Sequence, residues 1–364
     1  MQFTFDNFKT DLFFSSKIPS FKQISDDLKI AAANSFLIAD ENTKYIADLI
    51  KDDVNLPLCL IKSGEENKNW QAVERILKEA HESKLGRDGV FIAAGGGVIG
   101  DLAGFAASIY KRGCRFILVS TTLLGMVDAS IGGKTGFDLF GIKNLAGTFY
   151  PASAVYIPQD ALCTLPQKEW KSGFAELIKT SILAGGDFLD QVTELANPVC
   201  EKNKEQIDLF SLSTLNNSLL QSLIERAVLF KASIVSEDLR ESGKRMLLNL
   251  GHTFGHALES VSGLGAISHG EAVAWGISCA CRLGVSLGIT PKERAEKITG
   301  LIESFGYNIK IKSNKDSLLD VMKSDKKNKN RKLTFIVPDK NSAQIIELES
   351  ENNILENVIT KGLA

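Results

Sequence analysis

The chain has 364 residues, with 42 basic against 44 acidic side chains and a net charge of -2. That length suits two domains rather than one ordinary core. The near balance of charge excludes an overall field that would draw the molecule onto nucleic acid or a membrane, so an anionic ligand has to be held by a local cluster of cations.

No apolar run approaches the roughly 20 residues of a membrane span, and residues 272–281 are stopped by Arg282. No basic stretch followed by an apolar one opens the chain, and a soluble cytoplasmic protein is expected. The six cysteines, at 59, 114, 163, 200, 279 and 281, include no CxxC pair and read as reduced, mostly buried thiols. Cys279 and Cys281 are two apart, which on a helix points them to different faces and argues against a metal site.

Residues 1–30 mix aromatics and lysines without a clear period and predict a strand or hairpin followed by a short helix. SFLIA at 35–39 predicts a strand ending at Asp40, Glu41 and Asn42, where open parallel sheets bind ligands. A second strand at 58–61 ends in the polar SGEENK of 63–68, before an amphipathic helix over 70–82. Residues 90–104 read VFIAAGGGVIGDLAG: a buried strand to Ala94, a turn of Gly95, Gly96 and Gly97, and a helix from near Val98 whose first amides face an anion. Gly95, Gly97 and Gly100 match the dinucleotide fingerprint, a short pattern that is weak by itself. No Asp or Glu lies between Asp101 and Asp128, so the carboxylate that holds a ribose about 20 residues on is missing, and another segment has to hold the sugar. A fourth strand at 116–119 runs into Ser120, Thr121 and Thr122.

Strand and helix alternate, and residues 1–166 read as a parallel α/β domain with a nucleotide across the strand ends. From Trp170 almost every segment has helical spacing until 333–337, so residues 167–364 read as a mostly helical domain for metal and substrate. Residues 323–332 form a basic, apolar-poor loop.

Three of the four histidines, His252, His256 and His269, fall within 18 residues. His252 and His256 are four apart, on one face of a helix, a spacing common to zinc sites. His252 with His269 is the alternative, leaving His256 for proton transfer or anion binding, and spacing does not decide between them. Glu176, Glu259 and Glu271 are the carboxylates that could complete the site. Glu176 is the stronger candidate, because a glutamate on an apolar helix is costly unless a cation holds it, and Lys179 shares its face. Gly132-Gly133-Lys134-Thr135 lacks the first glycine and preceding strand of a Walker loop. With Lys143, Asn144, Lys231, Arg245 and Asn249 it suggests instead a pocket that neutralises a substrate with more than one negative charge.

GGGVIGDLAGFAAS, STTLLGMVDASIGGKTG, KNLAGTFY, LPQKEWKSGFAELIK, RMLLNLGHTFGHALE and SHGEAVAWG, in that order through most of the chain, resemble the 3-dehydroquinate synthase family of sugar-phosphate cyclases. The resemblance implies a Rossmann-like N-terminal domain, a helical C-terminal domain, a cleft between them for NAD and a divalent metal (zinc, with cobalt as the alternative), and a homodimer. The implied metal ligands are Glu176, His252 and His269. NAD would meet Asn42, Glu65, Lys68, Gly95, Gly96, Gly97, Val98, Gly100, Asp101, Thr121, Thr122, Asp128, Lys134, Lys143 and Thr164. Substrate would meet Lys134, Asn144, Lys179, Lys231, Arg245, Asn249 and His256, with Lys326 closing over it and Arg112 reaching a neighbouring subunit's site. The implied reaction converts 3-deoxy-D-arabino-heptulosonate 7-phosphate to 3-dehydroquinate and phosphate through transient oxidation, phosphate loss, re-reduction and aldol closure. The chain departs from the family pattern at Ser120, where proline usually precedes the threonines, at Ile142, in FYPAS, at Leu239, and in lacking a glycine at 325–332.

Overall fold

A computed structural model describes residues 1–52, 54–200, 217–263, 266–324, 332–349 and 352–364. The chain divides into two units, one of residues 1–165 and 231–240, the other of residues 166–230 and 241–364. The stretch 231–240 thus clusters with the first unit, although the sequence reading puts it in the helical half.

In the first unit, β1 (Gln2–Phe5) and β2 (Phe8–Ser15) form the expected hairpin, followed by α1 (Phe21–Leu28). Then come β3 (Ser35–Asp40), α2 (Lys44–Lys51), β4 (Leu58–Ile61), α3 (Trp70–Glu82), β5 (Val90–Gly95), α4 (Gly97–Ile109) and β6 (Arg115–Ser120). A hairpin of β7 (Lys134–Leu139) and β8 (Ile142–Phe149) precedes β9 (Ala154–Pro158). The main sheet runs β1-β2-β9-β6-β5-β3-β4, parallel throughout except for β1. Its central strands are the near-continuous apolar runs that a sheet covered on both faces requires: every residue of β5 and β9 is buried, and all but one of β3 and β6.

Two expectations need correction here. The glycine run is not a separate turn: Gly95 ends the strand, Gly96 caps, and Gly97 already opens α4. The β7–β8 hairpin also breaks the simple strand–helix alternation. Its two-residue turn is Phe140-Gly141, both at positive φ (53° and 76°), the conformation that Asn-Gly usually signals.

The second unit contains α5 (Gln167–Ala184), α6 (Phe188–Cys200), the start of α7 (Asn217–Glu237), α8 (His252–Ser262), α9 (His269–Ser286), α10 (Lys292–Ser304), α11 (Lys315–Ser324), the antiparallel pair β10 (Lys332–Pro338) and β11 (Ala343–Glu349), and α12 (Asn353–Gly362). None of its described helices, nor any in the first unit, is long and apolar enough to cross a membrane.

Three helices meet here almost backbone to backbone. A Cβ on Gly270 of α9 would stand 2.5 Å from the Cα of Ser172 in α5. A Cβ on Gly276 of α9 would overlap the carbonyl oxygen of Gly251, just ahead of α8, and a Cβ on Gly255 would lie 3.0 Å from the carbonyl of Ala272. With no flexible side chain at the point of overlap to yield, Gly276→Ala has to part α8 from α9. It should cost about 1–3 kcal/mol, read as a lowered urea midpoint, and should weaken divalent-cation binding at the same time.

Candidate functional site

In the first unit the chain leaves β3 for edge strand β4 and then returns to place β5 and β6 on the other side of β3. The order of strands reverses between β3 and β5, and ligands of open parallel sheets bind outside the carboxyl ends at such a point. At the end of β3, the Asp40 carboxylate accepts from the Thr43 amide at 2.8 Å, and Thr43 Oγ1 lies 2.9 Å from the carbonyl of Ala94 in β5, tying the two ends together. Asn42 is exposed between them.

At the end of β5, Gly96 offers no side chain to cap α4, and the amides of the first turn face outward with the positive end of the helix dipole. A Cβ on Gly97 would meet nothing closer than the Ala129 methyl at 3.5 Å, so the chain leaves this space clear without needing it for packing. Ser120 ends β6 and Thr121 follows it, and among the described residues neither buried hydroxyl has a hydrogen-bond partner. Thr122 Oγ1 accepts from the Gly125 amide at 2.9 Å. A recess of about 360 Å³, open to solvent, is lined by Gly96, Gly97, Asp101, Ser120, Ser130 and Lys134 among others. Free helix amides, an uncrowded glycine and orphan hydroxyls at a strand-order reversal fit a dinucleotide diphosphate.

The charged candidates of this unit fall into pairs. Lys68 is buried, and its ammonium donates to Asp101 at 2.6 Å and to the Asn144 side-chain oxygen at 2.5 Å. Burial disfavours the ammonium, but Asp101 and Glu65 outweigh this and raise Lys68 above its ordinary range. Burial likewise raises the Asp101 carboxyl, against the pull of Lys68. Asn144 sits at φ 54°, its amide donating to Asp138 at 2.7 Å. Lys231 donates to the Asp128 carboxylate at 2.6 Å and to its carbonyl at 2.8 Å. Glu65 and Val98 are half-buried, Lys134 opens β7 exposed, and Lys143 is exposed on β8. Thr164 Oγ1 lies 2.5 Å from the Tyr45 hydroxyl. Arg112 is exposed, in the left-handed region at φ 73°.

In the second unit, Glu176 and Lys179 lie one turn apart on α5, at 0% and 1% exposure, and form an ion pair. His252 and His269 are the first residues of α8 and α9. Their Nε2 atoms stand 3.8 Å and 3.5 Å from Glu176 Oε1. Each Nδ1 is engaged behind: His252 donates to the Leu250 carbonyl at 3.2 Å, and His269 to Glu259 Oε1 at 3.4 Å. These bonds turn both Nε2 atoms toward Glu176, the orientation metal-ligating histidines require.

Among the described residues, Glu176, His252 and His269 are the group that could hold a metal ion, with ligand atoms within 4.8 Å of one another. One carboxylate and two imidazoles suit a zinc-like cation and leave a coordination position open. His256 is exposed, its ring 5.3 Å from that of His252 and 6.4 Å from that of His269. The other two carboxylates have different work: Glu259 backs His269, and Glu271 closes a capping box, accepting from the Ser268 amide at 3.0 Å and hydroxyl at 2.6 Å. Arg245 is buried, and Asn249 donates to Glu241 at 2.5 Å. Lys326 lies outside the described residues.

Burial pushes the His252 imidazole down to about 3, and the Lys179 ammonium adds to this. For His269 burial acts in the same direction, but Glu176 and Glu259 overcome it and raise the imidazole to about 10.

The solved structure of 2-deoxy-scyllo-inosose synthase with carbaglucose-6-phosphate, NAD+ and Co2+ matches the whole of this chain and is wholly covered by it, with a TM-score of 0.83 at 24% identity. Glycerol dehydrogenase from Schizosaccharomyces pombe matches over 97% of this chain and 88% of its own, with a TM-score of 0.63 at 16% identity. Those likenesses are of fold. They set the chain on a two-unit scaffold that a synthase and a dehydrogenase of known structure share.

Family models narrow the class. Residues 58–172 match the 3-dehydroquinate synthase N-terminal model, and residues 173–328 the C-terminal one. The 3-dehydroquinate synthase of Prochlorococcus marinus subsp. pastoris is 37% identical over 87% of this chain and 84% of its own length, and that of Dictyoglomus turgidum 39% over 89% and 88%. The chain belongs to the 3-dehydroquinate synthase family.

Two outcomes follow from the cluster's geometry. Glu259→Gln, which loses the charge behind His269, should lower cation affinity roughly 10- to 100-fold, measured by chelator competition. In the cation-free protein His269, at about 10, keeps its proton across neutral pH, whereas His252, at about 3, carries none. A cation must displace that one proton, so affinity should rise about tenfold per pH unit from pH 6 to 9, and a flat titration profile would remove His269 from the ligand set.

Proposed function

We propose that the chain converts 3-deoxy-D-arabino-heptulosonate 7-phosphate to 3-dehydroquinate and phosphate, with Glu176, His252 and His269 holding a divalent cation, zinc in preference to cobalt. The observation that carries this reading is the buried carboxylate flanked by two imidazoles whose Nε2 atoms face it, in a chain of this family. NAD held at the strand ends would supply a reversible hydride acceptor, and a cation held by Glu176, His252 and His269 would supply a Lewis acid for the hydroxyl being oxidised.

The chain's own residues supply the rest of this reading. Asn42, Glu65, Lys68, the glycine run with Val98 and Asp101, Thr121, Thr122, Asp128, Lys143 and Thr164 hold the dinucleotide. Lys179 pairs with the buried Glu176 carboxylate and offsets part of the cost of burying its charge. Arg245 carries a charge that does not titrate away and a planar fork suited to carboxylate or phosphate. Asn249, whose amide donates to Glu241, adds a polar contact to the substrate. Lys134, Asn144 and Lys231 add polar contacts to the substrate's anionic ends. His256, exposed at the edge of the cluster, relays protons. The same reading makes the protein a cytoplasmic homodimer in which Arg112 reaches the partner's site, and has Lys326 close over the substrate.

The rival reading on this scaffold is a metal-dependent polyol dehydrogenase, which accumulates NADH. Incubation with NAD, zinc and the heptulosonate phosphate should release inorganic phosphate with no net NADH, and NADH formed in step with substrate loss would establish the rival. Arg245→Ala should raise the substrate KM roughly 10- to 100-fold and leave the NAD Kd near its original value. A loss of NAD affinity would mean that Arg245 serves the cofactor instead.

A further inference from the structure

We propose that the hydroxyl of Ser120 donates a hydrogen bond to the diphosphate of the bound dinucleotide, an inference that rests on the first unit binding NAD. Ser120 is the last residue of β6 and pairs in register with Gly95, the last residue of β5. Its side chain is 0% exposed, and among the described residues its Oγ has no hydrogen-bond partner. Burying a hydroxyl without a partner is costly, and an alanine would carry no such cost in the same strand.

The surroundings show where a partner would come from. Ser120 lines the recess that also holds Gly96, Gly97, Gly125 and Ser130. A Cβ on Gly125 would lie 2.6 Å from Ser120 Oγ and 2.9 Å from Thr122 Oγ1, so a side chain there would press on both hydroxyls. Beside it α4, 13 residues long, starts at Gly97 with no side-chain cap on its amides. A phosphate at that helix end would accept from the amides and from Ser120 together, satisfying both sets of orphan donors.

NAD, ADP-ribose and ADP, which share the diphosphate, are titrated into the original protein and Ser120→Ala by calorimetry, and melting temperatures are taken with and without each. The Kd of all three should rise roughly threefold to tenfold. The ligand-free variant should melt no lower than the original, because it has lost an unsatisfied group, and its ligand-induced rise in Tm should shrink. Unchanged Kd values overturn the proposal, and so does a lower ligand-free Tm without a change in Kd, which would give the hydroxyl a structural role. Weakening confined to NAD overturns it too, by moving the contact to the nicotinamide end. Failure of the original protein to bind any of the three would bring down the NAD reading itself. Ser120→Cys keeps the volume with a weaker donor and should give intermediate Kd values, a second comparison should the alanine variant not fold.

Discussion

A carboxylate sealed from water sets the terms for the helical half of this protein. Removing the Glu176 charge from solvent costs several kcal/mol unless other charges and hydrogen bonds replace the lost hydration. Lys179 lies one turn along the same helix, and the two imidazoles come from the first residues of two further helices. Both can reach one oxygen only because α5, α8 and α9 approach with little but glycine between their backbones. The glycines at 251, 255, 270 and 276 therefore set the ligand distances as firmly as the ligands themselves. Behind the imidazoles, the Leu250 carbonyl and Glu259 fix which nitrogen faces inward. Packing and chemistry are here one arrangement.

The first unit works with space rather than with a buried charge. At the reversal of strand order the chain leaves helix amides, a clear glycine and two hydroxyls that have no partner among the described residues. Its cations are paired beforehand: Lys68 with Asp101 and Asn144, Lys231 with Asp128. The near neutrality of the molecule, net charge -2, is thus repeated locally in each of these pairs.

Much of this was legible because apolar period and turn chemistry agreed. The strand at 58–61 and the helix at 70–82 stand where their patterns put them, and the polar residues that follow each parallel strand mark its ligand-facing end. The hairpin of residues 134–149 was not legible, since a phenylalanine occupies the left-handed turn position where Asn would have announced it, and glycines dilute its strands. Nor could the assignment of 231–240 be read, because α7 runs without a break in helical period from one unit into the other. At the cation cluster, the histidines stood out by their crowding in a chain with four. Spacing along one helix could not show that a second helix supplies His269, or that Glu271 is spent on a cap while Glu259 stands behind an imidazole.

The double hold of Lys68 has a thermodynamic corollary. One ammonium is shared between a carboxylate on α4 and an amide oxygen on the β7–β8 hairpin, and its donors are few and its stem is buried. A ligand that draws this ammonium toward itself must loosen its grip on Asn144, and whatever engages Asn144 must in turn change how strongly Lys68 is available. Occupancy at the strand ends and conformation of the hairpin are thereby tied by reciprocity, each felt by the other through a single nitrogen atom.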